Sequence, residues 1–251
     1  MARSEAGPHI GTAGWSIPRS SAARFPGDGT HLQRYSRLLN AAEINSSFHR
    51  PHAATTYAKW RDSTPSHFRF SIKVPRVITH ELKLRDARAP LVTFLAQCAG
   101  LGEKQGPLLV QLPPSLSLDR EVAGAFLSML REEHAGPVVC EPRHATWFTA
   151  AGDALLRQYR ISRVAADPPP APDGEAPAGD RGVAYFRLHG SPRMYWSKYG
   201  PNFIASLARA ARGSNHADVW CIFDNTASGA ALENAWELRE AVTPPGPTRS
   251  A

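Results

Sequence analysis

The stretch LLVQLPPSLSLDREVAGAFLSMLREEHAGPVVCE, residues 108–141, decides how the rest of the chain is read. It opens on a short apolar run, Leu108–Leu112, and closes on another, Val138–Cys140. Between them, Asp119–Glu133 carries Val122, Phe126, Met129 and Leu130 on one helical stripe. Asp119 stands where an N-cap would accept the first free amides. Strand, helix and strand within about 30 residues make a βαβ unit, because parallel neighbours need a crossover of that length.

The rhythm recurs on both sides. Apolar, β-branched runs stand at His9–Thr12, Ala41–Ile44, Phe68–Val74, Arg163–Ala166, Val183–Leu188 and Val219–Phe223. With the two above, their C-terminal ends fall near residues 12, 43, 73, 111, 141, 167, 189 and 224. Helical patterns fill the gaps at His31–Leu39, Ala53–Arg61, Pro90–Leu101, Phe148–Tyr159, Asn202–Arg212 and Ser228–Val242, with Asn202 as a second N-cap. Pro168–Gly182, PPPAPDGEAPAGDRG, breaks the pattern, since proline lacks the amide a helix needs. It reads as a long mobile loop replacing the sixth crossover helix. Eight strands alternating with helices predict an α/β fold, a (β/α)8 TIM-like barrel. The expectation is one domain over 1–251, frayed at about 1–8 and 243–251. An open doubly wound sheet is the competing fold, but Gly11-Thr12-Ala13-Gly14 lacks the third glycine of a dinucleotide turn.

The 251 residues are 42% hydrophobic, which excludes a disordered polymer. No run of roughly 18 apolar residues occurs, and the first nine residues lack the apolar core of a signal peptide, so neither a membrane span nor export is expected. Cys98, Cys140 and Cys221 are too far apart for a cysteine zinc or iron–sulfur motif, and an odd count points to reduced thiols in the cytoplasm. The formal charge is +7, carried mainly by arginine. That surplus fits either a polyanionic partner or a solvated surface.

In a barrel, the residues just past each strand converge on one mouth. These are Trp15; Glu43, Asn45 and Phe48; Lys73, Arg76 and His80; Gln111; Glu141, Arg143 and His144; Asp167; Arg187 and His189; and Asp224 and Asn225. Glu43 and Lys73 interrupt apolar strands, so each must be paired or face a wet cavity. One reading is a Glu43–Lys73 ion pair on neighbouring strands. Another makes Glu43 or Glu141 a general acid or base. Lys73 also fits a Schiff-base lysine. Histidines beside carboxylates admit a divalent metal, although Lys73, Arg143 and Arg187 would repel one. Those cations fit an anion better, with Trp15, Phe48, Trp147 and Tyr195 as stacking walls.

The segments IGTAGWS (10–16), EINSSFHR (43–50), FRFSIKVPRVITH (68–80), LLVQLPPS (108–115), EPRHATWF (141–148), YFRLHG (185–190) and FDNTASGAALENA (223–235) together resemble the YecE-like family, domain of unknown function 72. The resemblance runs from about His9 to Val242. It implies a (β/α)8 barrel and a shared set of pocket residues, among them Trp15, Glu43, Lys73, Glu141, Arg143, Arg187 and His189, and it implies no reaction. His49, Pro142 and Asp224 depart from the family's usual Tyr, Phe and Asn.

The leading expectation is a cytoplasmic barrel that binds a small anionic or phosphate-bearing molecule at its C-terminal mouth. Arg143, Arg187 and Lys73 would hold the anion; Glu43, Glu141 and His189 would move protons in hydrolase, lyase or isomerase chemistry. The alternatives are a nucleic-acid-binding or nucleic-acid-processing barrel, a metal-dependent enzyme, and a non-catalytic binding protein. No cofactor is implied, and the oligomeric state is left open.

Overall fold

A computed structural model describes residues 7–243. Among the described residues ten strands and seven α-helices alternate, except that four strands follow one another between the fifth and sixth helices. The strands are β1 (His9–Thr12), β2 (Ala41–Ile44), β3 (Arg69–Lys73), β4 (Gln105–Gln111), β5 (Val138–Glu141), β6 (Ser162–Arg163), β7 (Ala165–Asp167), β8 (Ala178–Gly179), β9 (Val183–Leu188) and β10 (Asp218–Phe223). The helices are α1 (His31–Tyr35), α2 (Ala54–Asp62), α3 (Arg88–Cys98), α4 (Arg120–Glu133), α5 (Ala150–Gln158), α6 (Pro201–Gly213) and α7 (Ala230–Val242).

Hydrogen bonding divides the strands into two sheets, a four-stranded β1-β10-β9-β7 and a six-stranded β2-β3-β4-β5-β6-β8. Every pairing is parallel except β6 with β8. The expected sixth strand is split at Val164: β6 bonds to β5, and β7 bonds to β9. The Pro-rich segment forms no helix, but it is not a free loop. Its β8 pairs with β6, Ala166 donates to the Gly174 carbonyl, and Arg163 donates to the Asp173 carbonyl.

The two sheets meet again at β1 and β2, where a single parallel bridge joins Ala13 to Glu43. Side chains replace the ladder there. The Ile10 amide donates to Asn40 Oδ1 at 2.7 Å. The Thr12 amide donates to the Tyr35 hydroxyl at 2.8 Å, and that hydroxyl donates to the Ala41 carbonyl at 2.9 Å. Gly11 permits the close approach, since a Cβ there would lie 1.9 Å from the Ala41 oxygen.

Two apolar clusters result. The larger lies between strands and helices, and includes Phe68, Phe70, Leu91, Phe126 and Leu130. The smaller gathers Ala41, Leu109, Val139, Val164, Val183, Tyr185, Trp220 and Ile222 from both sheets. Two residues beyond Ala41, Val139, Tyr185 and Ile222, on the same strand face, stand Glu43, Glu141, Arg187 and Asp224.

Local signals set the helix starts. Asp119 accepts from the Glu121 and Val122 amides, as an N-cap should. Asn202 is not a cap: α6 starts one residue earlier at Pro201, whose fixed φ suits the first helical position, and Gly200 is the N-cap. Of the ends expected to fray, Pro8 accepts from Asn40 and Thr243 bonds back to Arg239; residues 1–6 and 244–251 lie outside the described residues.

Candidate functional site

Seven charged or titratable side chains meet beyond the smaller cluster. Arg187, fully buried on β9, is their hub. Its Nε and Nη2 donate to Glu43 at 3.0 and 2.7 Å, its Nη1 to Glu141 at 3.3 Å, and its Nη2 lies 3.0 Å from Asp224. The Tyr185 hydroxyl also donates to Glu43, at 3.0 Å, and shares a 2.8 Å bond with Ser71. His189 stands between two carboxylates, Nδ1 3.1 Å from Asp224 and Nε2 2.8 Å from Glu141. Arg143 Nη2 reaches both Glu141, at 2.8 Å, and His189 Nε2, at 2.6 Å. Nε2 can donate to Glu141 or accept from Arg143, so moving the proton on His189 rearranges that trio.

Lys73 is the exception. Strand register places Glu43 beside Ser71 and Lys73 two residues further on, level with Leu109. The expected Glu43–Lys73 ion pair is therefore replaced by Glu43–Arg187. Among the described residues no carboxylate lies within ion-pair distance of Lys73. Its Nζ sits 4.0 Å over the Phe48 ring, which His49 and His80 flank edge-on. Burial, reinforced by the Arg187 guanidinium, pushes the Lys73 amine down to about 8.

The acids are held differently. Burial opposes ionisation of Glu141, but the Arg143 and Arg187 guanidiniums outweigh it and hold the carboxyl well below its usual range. Asp224 is lowered too, against its burial, by Arg187 and His189. Burial and the Glu43 carboxylate push the Tyr185 hydroxyl up. Glu43, Glu141 and Asp224 balance Lys73, Arg143 and Arg187 in formal charge. Both glutamates are thus locked in ion pairs, rather than free as a general acid or base. Arg187 is spent on carboxylates, rather than free to clamp an anion.

The remaining sequence candidates divide. Phe48 and His80 adjoin Lys73, and Asn45 brings a buried Oδ1 that has no partner. Gln111 is level with Glu141 on the next strand. Trp15 turns towards α2, edge-on to Trp60 at 5.0 Å. Arg76 is exposed, 3.7 Å from Glu81. His144 caps its own turn by accepting from the Thr146 amide. Asp167 accepts from the Tyr199 hydroxyl, and Asn225 donates to Ser197 and Asn234, tying α7 in place. Trp147 is buried and donates to the Leu116 carbonyl, so it is no stacking wall. Among the described residues no group of three or more His, Cys, Asp or Glu side chains is arranged to hold a metal ion. Tyr185 and Ser71 escaped the sequence reading. The signal for Tyr185 was there: Tyr185, Arg187 and His189 alternate along one face of one strand.

The family model for the protein of unknown function DUF72 matches residues 9–250. The chain belongs to DUF72. Among curated DUF72-like relatives, UPF0759 protein YecE of Escherichia coli K12 is 28% identical over 169 residues, 64% of this chain and 60% of YecE, so the match spans about three-fifths of that relative. UPF0759 protein YunF of Bacillus subtilis 168 is 23% identical over 92% of this chain and 93% of its own. Two solved structures share the fold. A DUF72 family protein of Enterococcus faecalis V583 superposes with a TM-score of 0.78 at 21% identity, over 93% of this chain and 94% of that one. One from Thermotoga maritima MSB8 gives 0.77 at 23%, over 94% and 98%.

Proposed function

We propose that the two sheets are halves of one (β/α)8 barrel forming a single domain, and that its C-terminal mouth binds a small molecule through a carboxylate or phosphate group. Three features support the barrel: the Ala13–Glu43 bridge, the continuity of β6 with β7, and an apolar layer drawn from both sheets.

The observation that carries the binding reading is a pair of unused donors beside a charge-balanced cluster. Among the described residues Lys73 Nζ makes no ion pair and sits over the Phe48 ring, and Arg143 Nε is buried without an acceptor. An unsatisfied buried donor costs about 1–3 kcal/mol, and an anionic oxygen would recover it. Both residues are slightly exposed, Lys73 at 6% and the Arg143 side chain at 11%, as is the Asp224 side chain at 7%, against 1% or less for Glu43, Glu141, Arg187 and His189. Bound there, a ligand would meet the His189 trio as its proton source or sink, which suits hydrolase, lyase or isomerase chemistry. Three thiols outside any disulfide, Cys98, Cys140 and Cys221, favour the reducing cytoplasm as its setting. Among the described residues no helix is long and apolar enough to cross a membrane.

One observation favours a second reading, nucleic acid. The loop after β9 exposes Met194, Tyr195 and Trp196 together, with the Arg193 guanidinium 4.7 Å over the Trp196 ring. A thermal-shift titration with phosphate, malonate and a short oligonucleotide separates the two. The small-ligand reading expects Tm to rise with phosphate or malonate by mass action, and the rise to vanish in Lys73→Met. No shift at millimolar anion would overturn it. A shift with the oligonucleotide alone, fading with salt, would favour the second reading.

A further inference from the structure

Lys73 differs from the other four lysines of the chain in what surrounds its amine. Lys104 donates to the Arg61 and Thr64 carbonyls and to the Thr64 hydroxyl, and Lys198 bridges Glu233 and Glu237. Lys59 and Lys83 lie outside the charge cluster. Lys73 is buried on an apolar strand between Ile72 and Val74, its amine over an aromatic ring; Glu43, Glu141 and Asp224 act on it only from beyond ion-pair distance, and burial with the Arg187 charge outweighs them. Every other charged member of the cluster is in an ion pair. A merely structural buried lysine would be expected to carry a carboxylate partner of its own. A slightly exposed amine without such a partner is the arrangement that favours a nucleophile.

From this geometry we infer that Lys73 forms a Schiff base with a small oxo acid, a molecule carrying both a carbonyl and the anionic group assigned to the site above. The inference rests on that binding reading for the acid group, and on Lys73 alone for the carbonyl. The neutral amine's lone pair attacks the carbonyl carbon. A C–N bond forms, the carbonyl π-bond breaks, and one of the two amine protons passes to its oxygen. The second amine proton follows to the resulting hydroxyl, the C–O bond breaks and water leaves as the nitrogen lone pair closes C=N, with no change of oxidation state. Arg143, with its unpaired Nε, holds the carboxylate of the bound acid. An amine that titrates near 8 is neutral in roughly one molecule in ten at pH 7, against roughly one in several thousand for an ordinary lysine.

The experiment is reductive trapping on the intact protein. The chain is incubated at pH 7 with glyoxylate and cyanoborohydride, in parallel with the uncharged aldehyde glycolaldehyde, and the modified lysines are mapped by peptide mass spectrometry. The expected result is labelling of Lys73 by glyoxylate on the order of tenfold faster than of Lys59 or Lys83, slower labelling by glycolaldehyde, and loss of the preferred label in Lys73→Arg. Label spread over Lys59, Lys83 and Lys198 without preference, or an unlabelled Lys73 in folded wild-type protein, would overturn the inference. The two readings fail separately. An anion-induced Tm shift without trapping leaves binding intact and removes the Schiff base; trapping equal for both aldehydes, without any Tm shift, keeps the reactive amine and removes the anion site.

Discussion

At the scale of single residues, the setting of Lys73 has a measurable sign. Its ordinary value lies near 10.5 and its folded value at about 8, because burial and the Arg187 guanidinium outweigh the Glu43, Glu141 and Asp224 carboxylates. Below pH 8 the amine is charged in both states and folding is penalised. Between about 8 and 10.5 the unfolded chain binds the extra proton, so this group's contribution rises with pH. Lys73→Met is therefore expected to be more stable than wild type at pH 7, with the gap narrowing towards pH 10 in urea titrations. A gap independent of pH would count against a lowered Lys73. Glu43 and Lys73 stand out in apolar strands whatever the fold, because a charge there must be compensated. Their pairing depends on strand register, and a two-residue offset that no local pattern records gives Glu43 to Arg187 and leaves Lys73 without an ion pair. Tyr185 was hidden for a related reason: its hydroxyl meets a carboxylate 142 positions away.

At the scale of elements, apolar runs punctuated by turn residues fixed β1, β2 and β9 to the residue, since a short buried strand is bounded by where its apolar run stops. The sixth strand was harder. Its two halves serve different neighbours, and β8, only two residues long, emerges from a proline-rich stretch with no strand pattern. The β1–β2 junction was invisible, because it is made by a tyrosine and an asparagine outside both strands. Removing the Tyr35 hydroxyl strands a buried amide at Thr12 and a buried carbonyl at Ala41. Tyr35→Phe is thus expected to cost about 2–4 kcal/mol in denaturant unfolding, with the slope against denaturant unchanged. A loss below about 0.5 kcal/mol would mean the bridge and the Gly14–Glu43 backbone bond suffice.

At the scale of the whole molecule, Arg187 matters because it crosses between sheets. It stands in the four-stranded sheet with Asp224 beyond the neighbouring strand, while Glu43 and Glu141 belong to the six-stranded one. Arg187→Met leaves three buried carboxylates short of their cation; breaking a buried pair in this way costs about 3–5 kcal/mol, a loss that denaturant unfolding would read. In the wild type, near-ultraviolet and far-ultraviolet circular dichroism are expected to trace one coincident thermal transition; two separated transitions would mean that the halves unfold independently. Family membership was legible because its motifs sit at strand ends along nearly the entire chain, whereas the side-chain junction between β1 and β2 was not. That junction has a mechanical outcome. A ladder parts as a unit, but contacts lent by a phenol and a carboxamide can let go one by one, so the molecule's softest line runs lengthwise beside Glu43, and thermal breathing there would loosen the charged interior without unravelling either half.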